Sequence, residues 1–285
     1  YVIENGSGPN NLSKYCTNYI DTNLWVSGGL NYGIRLAMEK EDYAAIWCLF
    51  NDVKFAPQGD VLSLMLSCMK KYPRIGIIQP SWGNEWLLNE SPLSNRNYAD
   101  PAISLAYAAD PLCMLFRTSM IKDISKKLGP LNRPLWDESN KRNHGNAQLI
   151  QYMAYRHGWG TLTTNVFTTS ETSSAADQNS LMARGEEDAV WKSQGTIECE
   201  AWIRKRWKDI SFFYSPNLLG TTNFGAMMRH FKSYIKMWYH LSNSNTSEKY
   251  CRNMMLNLCQ RECENFLLRY PEYAKLSLDE IYNPN

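Results

Sequence analysis

The segment Ile46–Phe55, IWCLFNDVKF, constrains this chain more than any other. Tyr43–Phe50 is nearly all apolar, as a strand buried on both faces of a largely parallel sheet must be. It ends in the polar pair Asn51-Asp52. Open α/β sheets bind their ligands just outside the carboxyl ends of strands, which is where that pair falls.

The flanking pattern agrees. Tyr1–Glu4 is short and apolar and is broken by Asn5-Gly6-Ser7-Gly8-Pro9, which predicts a strand and a turn. Leu24–Ser27 reads as a second short strand, followed by Gly28-Gly29. Leu30–Lys40 then reads as a helix with Leu30, Ile34 and Ala37/Met38 on one face. Asp60–Tyr72 is an amphipathic helix, and Arg74–Gln79 a buried strand stopped by Pro80. Alternation of strand and helix up to Pro80 predicts an open α/β sheet. The chain opens mid-strand at Tyr1 rather than at a Met, which suggests a truncated or processed start.

Further on, Ser81–Pro101 reads as a loop or lid carrying Trp82 and Trp86. Ala109–Arg117 reads as a strand, Ser119–Lys127 as a helix, Ala147–Arg156 as a helix and Leu162–Thr169 as a last strand. The character changes near Trp191. Residues 1–190 are expected to form the α/β domain, and 191–285 a helical appendage. Within the appendage, Asn223–His240 carries a stripe of Met and aromatic residues that suits a core or a homodimer contact. Arg229, Lys232, Lys236 and Trp238 on it also suit peripheral contact with a membrane surface. Glu248–Tyr270 reads as a second helix.

Composition narrows the class. The 285 residues are 44% hydrophobic, enough for a sizeable core. A formal net charge of +2 provides no basic field for nucleic acid. Eight cysteines are scattered, several inside apolar runs where a thiol packs as a small hydrophobe. Cys259 and Cys263 have helical spacing, but no His or second Cys pair completes a zinc site. With no secretory leader and no apolar run long enough to span a bilayer, the expected location is cytoplasmic, including the inner face of the membrane.

The order VIENGS, SGGLNYGIRLAM, IWCLFNDVKFAP, KKYPRIGIIQPSW and CMLFRTSMIKDI–LGPL resembles glycosyltransferase family 2, particularly its rhamnosyltransferase-like members. The likeness covers roughly Tyr1 to Thr169 and lacks the family's first strand. It implies a GT-A (nucleotide-diphospho-sugar transferase) fold: a Rossmann-like mixed sheet flanked by helices. The implied activity is inverting transfer of a hexose or deoxyhexose from a nucleoside diphosphate sugar to a glycan or lipid-linked acceptor.

The resemblance also assigns residues. Glu4, Asn5, Gly6 and Ser7 match the turn that faces the donor's base and ribose, and Asn31 lies in the matching Gly-rich lead into the helix, where a helix N-terminus favours phosphate. Asn51-Asp52-Val53 matches the acidic motif that holds a divalent cation, manganese or magnesium, with Asp52 as the remaining carboxylate and Val53 in place of a second one. Asp110 and Arg117 fall at acceptor-side positions, and Trp82 is placed to wall a sugar. The family's catalytic acid pair falls at Asn146-Ala147, neither of which can act as a base. Asp137 and Glu138 in LWDES, with His144 nearby, are the remaining candidates. The alternative reading is a catalytically inactive glycan- or nucleotide-binding relative of the same fold.

Overall fold

The computed structural model describes residues 1–51, 53–56, 58–81, 86–87, 102–108, 112–127, 135–136, 138, 146–171 and 248–282. Asp52, Trp82, Asp110, Asp137 and His144 lie outside them, as do the basic stretch 202–208 and the striped segment 223–240. The chain divides into two compact units, Tyr1–Gln178 with Leu256–Asn285, and Asn179–Met255. The last thirty or so residues of the expected appendage therefore belong with the sheet.

The first unit is a mixed α/β fold. A small parallel sheet pairs β1 (Ile3–Asn5) with β2 (Asn18–Ile20). Helix α1 (Trp25–Lys40) packs on β1 and on β3 (Ala45–Leu49). Then come β4 (Val53–Ala56), α2 (Val61–Lys71), β5 (Ile75–Ser81), β6 (Trp86–Leu87), β7 (Ile103–Ala108), β8 (Cys113–Arg117) and α3 (Thr118–Lys127). Helix α4 (Asn146–Arg156), β9 (Gly160–Glu171), α5 (Glu248–Arg269) and α6 (Asp279–Tyr282) complete the order.

Local chemistry explains most boundaries. Asp60 caps α2 by accepting from the Ser63 amide at 2.9 Å, and Val61, Leu64, Met65 and Cys68 form its buried stripe. The start of α1 differs from expectation: Trp25–Ser27 is helix, not strand, so Gly28 and Gly29 lie inside the helix rather than before it. Asn5 decides this. Its Oδ1 accepts from the Leu24 amide at 2.8 Å and its Nδ2 donates to the Trp25 carbonyl at 2.9 Å, so β1 supplies the cap that residue 24 cannot. A Cβ on Gly29 would come within 2.9 Å of that Asn5 nitrogen, so this glycine permits close packing on β1.

The main sheet has strand order β3-β8-β5-β9-β7-β6, with β4 pairing the end of β9. Strand β8 is antiparallel to both β3 and β5, and β5 is parallel to β9. The sheet is thus mixed, as the resemblance implied, where the apolar run Tyr43–Phe50 by itself suggested a largely parallel one. In it β3 is an edge strand: only Cys48 is buried, and Leu49 is exposed. Strand β5 holds the centre and is buried from Ile75 to Pro80, running through Pro80 rather than stopping before it.

The topology defines one functional side. Strands β3, β5 and β9 point the same way, so their carboxyl ends share an edge of the sheet. Helix α1 runs into β3 and α4 turns tightly into β9 at His157–Trp159, so both helices begin on that side. At the opposite end, α5 buries Cys259, Cys263, Phe266 and Leu267, and the Phe266 ring meets Tyr155, Tyr270 and Tyr273 edge-on or tilted.

Candidate functional site

The shared edge collects several of the nominated residues, and they hold one another in place. At the end of β1, the Glu4 carboxylate accepts from Ser7 Oγ at 2.6 Å and from the Ser13 amide at 3.0 Å. Gly6 has φ +79°, and a Cβ there would lie 2.6 Å from the Asn23 backbone nitrogen. The expected nucleoside-facing turn is therefore a rigid corner. The Glu4 and Asn5 side chains shape it, and the Asn5 amide is committed to α1.

Two turns into α1, Asn31 reaches the segment around Trp136. Its Nδ2 donates to the Trp136 carbonyl at 2.7 Å and to Glu138 Oε1 at 3.0 Å, while its Oδ1 accepts from the Trp136 amide at 2.9 Å. The Trp136 ring is buried and stands edge-on to Phe116 of β8, with centroids 6.1 Å apart. Glu138 is exposed. The arrangement is a solvent-facing carboxylate oriented by a buried amide, itself fixed by an aromatic anchor. That geometry suits proton acceptance from a hydroxyl.

Asn146, where the acid pair would stand, is buried at the start of α4 and donates from Nδ2 to Ser27 Oγ at 3.1 Å. It ties the beginning of α4 to the beginning of α1. Neither Ser27 nor Trp136 stood out in the sequence. They lie 119 and 105 residues from their partners, and a buried serine carries no local pattern.

Asn51 is exposed in the turn after β3, and the Phe50 amide bonds the Leu112 carbonyl at 3.0 Å. Among the described residues, no group of three or more His, Cys, Asp or Glu side chains is disposed to hold a metal ion. Arg117 lies elsewhere. It pairs with Ala45, at the far end of β3 from Asn51. Its guanidinium donates to the carbonyls of Ile75 at 2.8 Å and of Met69, and to Tyr72 at 3.4 Å. Arg117 closes the end of α2 onto β5, and its guanidinium is taken up by backbone carbonyls.

Among the described residues no helix is long and apolar enough to cross a membrane. No protein-family model matches the chain, and no curated protein matches it.

Proposed function

We propose that this chain is an inverting sugar transferase of GT-A type, moving a hexose or deoxyhexose from a nucleoside diphosphate sugar to a glycan or glycolipid acceptor. The observation that supports it best is the exposed Glu138 carboxylate, held at 3.0 Å by the buried Asn31 amide of α1. In this reading Glu138 accepts the proton of an acceptor hydroxyl as that oxygen bonds the sugar's anomeric carbon. The bond from that carbon to the diphosphate breaks on the opposite face, and the nucleoside diphosphate leaves with the electron pair. Asn31 orients the carboxylate, and the corner at Glu4–Ser7 borders the nucleoside. The GT-A reading assigns a divalent cation to Asp52 and the donor phosphates, where it would stabilise the leaving group. The described residues do not by themselves form its ligand set.

The test is release of nucleoside diphosphate from a panel of nucleotide sugars, with and without manganese. Glu138→Gln should lower kcat by roughly 10²–10⁴, the usual worth of a positioned base, with KM little changed. Asp137→Asn serves as the control. Undiminished turnover in Glu138→Gln removes this base from the proposal.

A second reading is a binding protein that has lost turnover. Asn146 favours it, because an amide locked to Ser27 stands where an acid is expected. Tight nucleotide binding without turnover under every metal tried selects this reading.

A further inference from the structure

A row of polar side chains crosses the centre of the sheet without bonding to anything. Thr163 of β9 stands opposite Gln79 of β5 on one side and opposite Ser104 of β7 on the other. Cross-strand partners share a face of a sheet, so the three side chains project together. Gln79 and Ser104 are each 2% exposed and Thr163 is 0% exposed. Gln79 Nε2, Ser104 Oγ and Thr163 Oγ1 have no hydrogen-bond partner.

The same face carries two more such groups. Thr161, two residues before Thr163, is fully buried and its Oγ1 is unpartnered. Thr161 pairs with Ile77, and Ile77 pairs with Phe116, the ring on which Trp136 stands. Trp136 Nε1 is likewise buried and unpartnered. The unmatched groups thus run from β7 across β9 and β5 towards β8, behind the segment that Asn31 holds.

A buried amide or hydroxyl without a partner costs about 1–3 kcal/mol, and so many on one face cannot be explained by a single imperfect contact. We infer that Gln79, Ser104 and Thr163 form an internal hydration site, in which ordered water bridges the row and extends towards Trp136. The chemistry selects water. The groups of the row are all neutral, with donors and hydroxyls mixed. Buried water takes two to four such partners, which the row provides. This inference stands independently of the transferase reading.

Two measurements test it. The near-isosteric variants Thr163→Val, Ser104→Ala and Gln79→Met each remove one partner. If water satisfies the row, each lowers Tm by roughly 2–4 °C, the effect of one net hydrogen bond in a domain of this size. If the groups are dry, the apolar replacements raise Tm, and the inference fails. A crystal structure of the unaltered protein gives the second reading. It should show water bonded to at least two of Gln79 Nε2, Ser104 Oγ and Thr163 Oγ1. Side chains bonded directly to one another, or a row without water, overturn the proposal whatever the variants do.

Discussion

The Asn31 side chain holds Glu138 Oε1 at 3.0 Å while also bonding both the amide and the carbonyl of Trp136. One residue of α1 thus orders both the anchor and the carboxylate of a segment more than a hundred positions away. Two substitutions separate these tasks. Asn31→Ala leaves the Trp136 amide and carbonyl buried and unpaired, so it should cost about 2–4 kcal/mol in denaturant unfolding. Glu138→Gln keeps an exposed side chain of the same shape and should leave stability within about 0.5 kcal/mol. Equal losses in both would show that Glu138 is structural.

Gly6→Ala should be among the most damaging single changes at the β1 corner. The backbone is left-handed there, and the added carbon would lie 2.6 Å from the Asn23 backbone. Strain and clash together should cost at least about 2 kcal/mol, read as a fall in Tm. Gly8→Ala makes the useful comparison, because its φ is also +79° but nothing lies within 4 Å of the added carbon. The gap between the two variants measures the packing of the corner on Asn23.

Arg117→Met should destabilise the fold by about 2–4 kcal/mol, since it removes the side-chain donor to the carbonyls of Ile75 and Met69. On the proposed transferase reading, nucleotide-sugar binding by the folded fraction should be unchanged, as checked by titration. A selective loss of acceptor affinity would return Arg117 to the site.

Glu262 on α5 is buried beside Arg156, with Oε1 3.9 Å from the guanidinium nitrogen. Burial raises its carboxyl above the ordinary 4.5, outweighing the pull of Arg156. A raised folded value means that its stabilising contribution is full below 4.5 and is lost as pH rises through the folded value. Glu262→Gln should therefore flatten the fall in stability between 4.5 and the folded value, measured by urea unfolding at a series of pH values. An unchanged slope would exclude Glu262 as its source.

Thiol labelling gives a fourth kind of check. Burial pushes Cys48, Cys68 and Cys263 up to about 12 and Cys113 up to about 11, and raises Cys259 as well. Cys16 is only half-buried, so among the described cysteines it should label first in the native protein at pH 8, as mapped by mass spectrometry of peptides. Early labelling at Cys48 would indicate that edge strand β3 opens readily.

The sequence made some of this legible and left the rest hidden for physical reasons. Strand β5, helix α2 and helix α4 follow from local pattern, because their burial is set by their own periodicity. Strand β8 was legible too, within a longer apolar run. The start of α1 was misread because its cap comes from Asn5, across a turn and a strand. The direction of β8 between β3 and β5 also left no local trace, so the local pattern suggested a largely parallel sheet and only the resemblance implied a mixed one. Strand β7 was not singled out, since ISLAYA lies beyond a stretch dominated by Asn, Ser and Pro. At the site, Glu138 was visible as a carboxylate, but the residues that give it a setting, Asn31 and Trp136, become neighbours only in three dimensions.

The return of Leu256–Asn285 to the first unit bears on how this protein is made. Tyr273 accepts from the Arg74 amide at 2.9 Å, and Tyr72 exchanges hydrogen bonds with the Ser277 backbone at 2.9 and 3.0 Å. The loop between α2 and β5 is therefore completed by residues translated about two hundred positions later. As the nascent chain leaves the ribosome amino end first, the sheet must wait with Tyr72, Arg74 and the rings around Tyr155 uncovered until its final helix arrives. Any stop codon before Phe266 would leave those surfaces exposed for good, making the truncated product a substrate for chaperones and proteases rather than a smaller folded protein.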